Sequence, residues 1–232
     1  MRLDKYLCSC TDLTRSMAKK MLHKGVVLCD GEVVKDPGFK VTDDTQVVLD
    51  GTPLGVVATR YLMLHKPVDY LCSNVDELYP SVLNLVDLPK RETLRIAGRL
   101  DVDTTGLVLL SDDGQWCHQV TSPRRQCSKR YRAWLADPLV AEAESRFVEG
   151  VQLHNEDGLT RPAVLKRISD TEVLLTIEEG KYHQVKRMFA ALGNKVVGLH
   201  REAIGGIELG DELAPGEWRE LSEAEVQSVY GG

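Results

Sequence analysis

No stretch of this 232-residue chain approaches the roughly 18 consecutive apolar residues of a membrane-spanning helix, which excludes an integral helical membrane protein. The opening residues, MRLDKYLCSC, have neither the long apolar segment nor the small-residue cleavage site of a secretory leader, so a cytoplasmic protein is expected. Cysteine is sparse and irregular: six residues at 8, 10, 29, 72, 117 and 127, with no Cys-x-x-Cys pair. A disulfide framework is therefore not expected, and reduced thiols are. A zinc site on Cys8 and Cys10 would need two more ligands at suitable spacing. There is no Gly-rich nucleotide loop, metal-ligand cluster, internal repeat or low-complexity tract, so neither cofactor nor metal is expected.

What is present is an ordinary globular composition, 43% hydrophobic and 28% charged, with a net charge of −6. At roughly 100–200 residues per domain the length suits one large domain or two unequal ones. The overall acidity conceals segregation. Residues 1–25 carry six basic and two acidic side chains, and residues 26–50 carry two and six. The segments 118–132 and 181–201 each hold five Lys or Arg and no acid, whereas 202–232 holds eight acids and only Arg219. Three basic stretches in an acidic protein suggest a local track for a polyanion.

In the first 50 residues Leu3, Tyr6 and Leu7 have helical spacing. Thr14 or Ser16 can cap a second helix with Ala18, Met21 and Leu22 inward and Gly25 at its end. VVLCDGEVV reads as a hairpin turning at Asp30-Gly31, and TQVVLD as a last strand closing the unit near Asp50. GTPLGVVATR, 51–60, reads as a linker. This unit, carried by RLDKYL, TRSMAKKML and GVV…DGEVV, resembles the S4-type RNA-binding module. The likeness implies that Arg2, Arg15, Lys19, Lys20 and Lys24 face RNA.

From Tyr61 onward YLMLHKP, TGLVLLSD, RYRAWLA, PAVLKRI, TEVLLTIEE and NKVVGLH read as strands, and AEAESRFVEGV and YHQVKRMFAALG as helices. In the last of these, Val185, Met188, Phe189 and Leu192 form one apolar stripe. Without sustained βα alternation, the expected class is α+β with a mixed, mostly antiparallel sheet over residues 61–232.

The segment AGRLDVDTTGLVLLSDDG, 97–114, sets a polar loop against an apolar strand, where reactive side chains are commonly presented. Asp101 and Asp103 are its candidate carboxylates, beside Arg99, Thr104 and Thr105. GRLDVDTTGLVLLSDDG resembles the signature of the RsuA-type pseudouridine synthases, in which the Asp after Gly-Arg-Leu is the catalytic carboxylate, here Asp101. Lys129-Arg130-Tyr131 matches the family's second motif, and EGKYHQVKRM its third, with Lys186 as the basic residue. LHREAIGG matches the last block and puts an apolar site residue at Leu199. One departure stands out: the family's Asn-Lys-Pro-x-Gly is His65-Lys66-Pro67-Val68-Asp69 here.

The resemblance implies conversion of a single uridine of small-subunit 16S rRNA, uridine 516, to pseudouridine, and a monomer is the default expectation. The N1–C1′ bond breaks, the base turns and is rejoined through C5, so neither water nor a redox cofactor is consumed. A carboxylate can attack as nucleophile or stabilise positive charge at C1′. Both roles are open to Asp101, with Lys186 as the expected neutralising partner and Tyr131 stacking on the base. The uridine must leave its stack, so base flipping is expected, with Arg99 filling the gap or holding a phosphate. Arg124, Arg125, Lys129 and Arg132 are expected to line the RNA track. His183 and Gln184 are expected to support geometry, and His154 and His200 to be structural. The alternatives are a large-subunit enzyme of the same family, a noncatalytic rRNA-binding assembly factor, and a glycoside hydrolase built on Asp101 and Asp103. Large-subunit relatives often carry a basic tail or lack the S4 module, so the retained module and acidic last segment favour the small subunit.

Overall fold

The computed structural model describes residues 1–55 and 59–230. The chain divides into two compact units, Met1–Ala58 and Thr59–Gly232. In the first, helix α1 (Leu3–Cys10) buries Leu3, Tyr6 and Leu7, the residues its spacing put on one face. Helix α2 (Arg15–Lys24) starts where the Thr14 hydroxyl accepts the Met17 N–H and stops at Gly25, whose φ of 75° is left-handed. Ala18 and Leu22 turn inward; Arg15, Lys19, Lys20 and Lys24 stay exposed.

Strands β1 (Val27–Cys29) and β2 (Glu32–Val33) are joined by Asp30-Gly31, both at positive φ, as a two-residue hairpin turn requires. The stretch expected as a linker begins differently. Asp50-Gly51, at φ 47° and 79°, is a second such turn, sending β3 (Val47–Leu49) back as β4 (Thr52–Leu54). Sheet order is β2-β1-β3-β4, so Pro53 sits on an edge strand, where its missing N–H is tolerated. The Tyr6 hydroxyl donates to the Leu54 carbonyl at 3.0 Å. The first sheet thus runs past the expected boundary at 50. Of the expected linker 51–60, residues 56–58 lie outside the described residues.

The second unit comprises β5 (Tyr61–Lys66), β6 (Arg95–Ala97), β7 (Thr105–Ser111), α3 (Gly114–Thr121), β8 (Lys129–Leu135), α4 (Ala143–Glu149), β9 (Val164–Arg167), β10 (Glu172–Ile177), α5 (Gln184–Ala190), β11 (Val196–Ile204), β12 (Ile207–Glu208), β13 (Trp218–Glu220) and α6 (Glu223–Ser228). Its sheet runs β13-β5-β7-β11-β8-β10-β9, with β6 on β7 and β12 on β11. Among the described residues only the β7–β11 strand pairing of this sheet is parallel, so the expected mixed, mostly antiparallel sheet is present.

The unbroken apolar run of β7 follows from cores on both faces. Val108 and Leu110 join Leu62, Leu64, Tyr131 and Phe189, while Leu107 and Leu109 join Met63, Trp116 and Ile204. Where β7 meets β11, only glycine fits. A Cβ on Gly106, at φ 109°, would stand 2.3 Å from the Arg201 carbonyl oxygen. This close approach brings β11 against the loop that opens β7.

Candidate active site

The loop Gly98–Thr104 leaves β6 and enters β7, and it is held by buried cations from other strands as well as by its own Thr104 N–H to Asp101 O bond. Lys66, at the end of β5 and fully buried, donates from Nζ to the carbonyls of Pro67, Val102 and Thr104 at 2.9, 3.1 and 2.8 Å. Burial pushes its pKa down, while nearby Cys72, Asp103 and Asp101 act the other way. From β11, Arg201 (1% exposed) donates through Nη2 to Gly98 O at 2.7 Å and through Nε to Leu107 O at 2.8 Å. The Leu100 N–H is bonded to Cys72 Sγ, and the Asp69 N–H to Val102 O. Asp69 has φ 64°, the backbone conformation a glycine would ordinarily supply. That accounts for the departure at this position: aspartate takes the left-handed turn. A loop clamped at both shoulders holds Asp101 without a large ordering cost when substrate arrives.

Two side chains meet at Asp101. The Lys186 ammonium is 3.1 Å from its Oδ2, and His183 Nε2 is 3.3 Å from its Oδ1. The same ammonium reaches both oxygens of Asp103, at 2.7 and 3.0 Å. Helix α5 delivers these groups: Val185, Met188 and Phe189 anchor it in the core, so Lys186 projects from its first turn. His183, its N-cap, is held in the left-handed region at φ 48°. Burial tends to lower the Lys186 pKa, but hydrogen bonds to Asp103 and Asp101 prevail and raise it above the ordinary lysine value. The Lys186 hydrogen bond in turn holds the Asp103 carboxyl below the usual carboxylate range, against the effect of burial.

These groups open into a cleft of about 950 Å³, walled by Tyr131 and Leu199 and bordered by Arg99, Lys129 and Arg201. That volume takes a small ligand. Tyr131 is 7% exposed, and its hydroxyl oxygen accepts from Arg201 Nη1 at 3.3 Å. A guanidinium cannot accept, so the phenolic proton remains available to a molecule in the cleft. Arg99 is exposed and also lines an adjoining hollow of about 580 Å³ with Arg95 and His118. The cleft therefore combines an anionic oxygen pair, a cation fixed beside it and a flat wall bearing one polar atom.

Strand alternation separates the other expected track residues. Lys129 shares the cleft side of β8 with Tyr131, but it is buried, its pKa pushed down by burial, and Nζ donates to Cys127 O at 2.9 Å. Arg132 points to the opposite face, bound to Glu172 at 2.5 Å and Glu202 at 2.6 Å. Lys129 thus borders the cleft as a buried cation, and Arg132 is an ion-paired one on the other side of the strand. Arg124 and Arg125 are exposed on a turn just beyond Thr121, itself a lining residue. Arg2 engages Asp4 through two hydrogen bonds, while Arg15, Lys19, Lys20 and Lys24 form an exposed row on α2.

Gln184 is buried and donates to Glu179 at 2.7 Å. His200, its pKa lowered by burial and by neighbouring His65, contacts Thr105 Oγ1 at 2.8 Å. The His154 carbonyl accepts from Arg187. Sequence reasoning passed over Lys66 and Arg201 as site residues. Their signal was strand alternation, which puts Lys66 on the face of buried Leu62 and Leu64, and Arg201 on that of Leu199 and Ala203.

Comparison with known proteins gives one direction. The RNA pseudouridylate synthase family profile matches residues 60–191, and the S4 domain profile matches residues 1–47. Ribosomal small subunit pseudouridine synthase A of Vibrio parahaemolyticus serotype O3:K6 is 54% identical over 232 residues, covering 99% of this chain and 100% of its own. The protein of the same name from Escherichia coli K12 is 51% identical over 230 residues, with the same coverage. A crystal structure described as a pseudouridylate synthase superposes with a TM-score of 0.72 at 45% identity, covering 99% of each chain.

Proposed function

We propose that this chain, which belongs to the RNA pseudouridylate synthase family, isomerises one uridine of small-subunit 16S rRNA to pseudouridine, with Asp101 as the catalytic carboxylate. By resemblance the target is uridine 516, in free 16S rRNA or an assembly intermediate. The observation that carries the reading is the Asp101–Lys186 contact of 3.1 Å within a cleft of nucleoside size.

Asp101 acts on the everted nucleoside while Lys186 balances its charge. The phenol of Tyr131 and the side chain of Leu199 hold the freed base while it turns. The C1′–C5 bond then forms, the C5 hydrogen leaves as a proton, and N1, released from C1′, takes up a proton. No electrons or water are exchanged, so this chemistry calls for no cofactor. The exposed cations Arg15, Lys19, Lys20 and Lys24 of the first unit, and Arg99, Arg124 and Arg125 of the second, contact the RNA backbone. The protein works in the cytoplasm as a monomer.

A hydrolase pair is disfavoured because Asp101 and Asp103 grip the same ammonium, rather than flanking a bond from opposite sides. The small-subunit assignment draws on full-length relatives bearing that name. Mapping pseudouridine across 16S and 23S rRNA in cells with and without this gene tests it. One 16S site should vanish on deletion and return with the wild-type gene; loss of a 23S site instead would contradict the assignment.

A further inference from the structure

In the second unit Trp116, Tyr131, Phe147 and Phe189 are buried, but Tyr182 is 73% exposed, the most exposed aromatic among the described residues. It is not on a loose segment. The Lys181 N–H is bonded to Gln184 Oε1 at 2.9 Å, and the Tyr182 carbonyl accepts from Arg187 Nη1 at 3.0 Å. One face of the ring lies on the His183 imidazole, with centroids 3.7 Å apart and planes at 21°. Both residues line the cleft, and His183 Nε2 stands 3.3 Å from Asp101 Oδ1. The sequence therefore places a braced, exposed ring one side chain away from the carboxylate. Displaying an aromatic surface to water forgoes the stabilisation that its burial would give, and nothing in the packing of this turn requires a tyrosine.

We infer that the outer face of Tyr182 is a stacking platform for a nucleobase flanking the target uridine in the same RNA strand. This rests on the reading of the cleft as the uridine site. A flat π-face within one ring spacing of His183 suits any base, because stacking needs no particular hydrogen-bond pattern. The strand must also be splayed where the target leaves its stack, which frees a neighbouring base for a new partner. Stacking there would hold the Tyr182–His183 pair against Asp101 at the moment the uridine is seated.

The test uses the full chain with 16S rRNA fragments containing the target, either intact or abasic at one flanking nucleotide. Tyr182→Ala should raise KM about tenfold, with the smaller effect on kcat, and Tyr182→Phe and Tyr182→Trp should restore the wild-type value. An abasic site at one of the two flanks should weaken wild-type binding by a similar factor and leave Tyr182→Ala unaffected. Unchanged kinetics for Tyr182→Ala, or an abasic penalty that persists undiminished in that variant, would overturn the platform. Failure of the wild-type enzyme to form pseudouridine both in every 16S fragment and in small-subunit assembly intermediates would instead reject the underlying reading.

Discussion

Replacing Arg201 with Met should both destabilise the second unit and disable the site. The guanidinium makes two short hydrogen bonds, to Gly98 O and Leu107 O, and two longer ones, to Arg99 O and the Tyr131 hydroxyl. Bonds to a charged group contribute roughly 1.5–3 kcal/mol each, so the two short ones are worth about 3–6 kcal/mol. Methionine fills similar space and no longer bears the cost of burying a charge, which returns part of that sum. It also leaves two carbonyls without donors. A net loss of about 2–4 kcal/mol is expected, and urea denaturation followed by fluorescence of Trp116 and Trp218 would read it. With a slope of about 2 kcal/mol per molar, the midpoint should fall by roughly 1–2 M. Arg201→Lys, which keeps the charge but not the fork, should lie between wild type and Met in stability and still lose kcat, because the Gly98–Asp101 shoulder and Tyr131 lose their shared anchor. Wild-type stability for Arg201→Met, or wild-type kcat in either variant, would refute this reasoning.

Lys186→Met should lower kcat by about 10²–10³, while Asp103→Asn should cost far less, because Lys186 would still face Asp101; steady-state turnover on 16S rRNA distinguishes them. Lys19, Lys20 and Lys24 replaced together by Gln should weaken RNA binding and flatten the log K against log salt plot by about 0.7–0.9 for each phosphate no longer neutralised, measured by salt titration. In the last helix the hydrogen bond from Arg219, helped by Ser222 and opposed by burial, holds Glu225 at about 2, below the ordinary 4.5. A depressed folded pKa stabilises above the unfolded value, so this contribution is complete above about pH 4.5 and is lost as pH falls toward 2. Thermal melts of Glu225→Gln should show a flatter acid limb across that window; an unchanged limb would deny Glu225 that role.

Periodicity and turn chemistry carried much of the fold. Leu3, Tyr6 and Leu7, the Thr14 cap, Gly25 and the Asp30-Gly31 hairpin all stand where local rules put them. The same rule would have found β4 had Asp50-Gly51 been read as a hairpin signal rather than as the start of a linker. Helix α3 was not among the expected elements, although its N-cap signal was present: Asp113 accepts from the Gln115 and Trp116 N–H groups. The capping box of Ser222 and Glu225 likewise announces α6. Asp101 and Lys186 stood out through a motif, and Tyr131 through its place beside Lys129.

The clamp was not legible, because it is a long-range property. Lys66 and Arg201 act on a loop about 35 and 100 positions away in sequence, and only the sheet brings them there. The different settings of Arg132 and Lys129 were hidden for a related reason. A run of basic residues looks like one surface, yet a strand sends alternate side chains to opposite faces.

Release of tritium from RNA labelled at uridine C5 reads the chemical step itself, since joining C5 to C1′ expels that hydrogen. Wild-type protein should release it from 16S rRNA, whereas Asp101→Asn should release none while binding the same RNA with largely unchanged affinity. Turnover by Asp101→Asn at the wild-type rate would contradict the assignment of that carboxylate and the mechanism built on it.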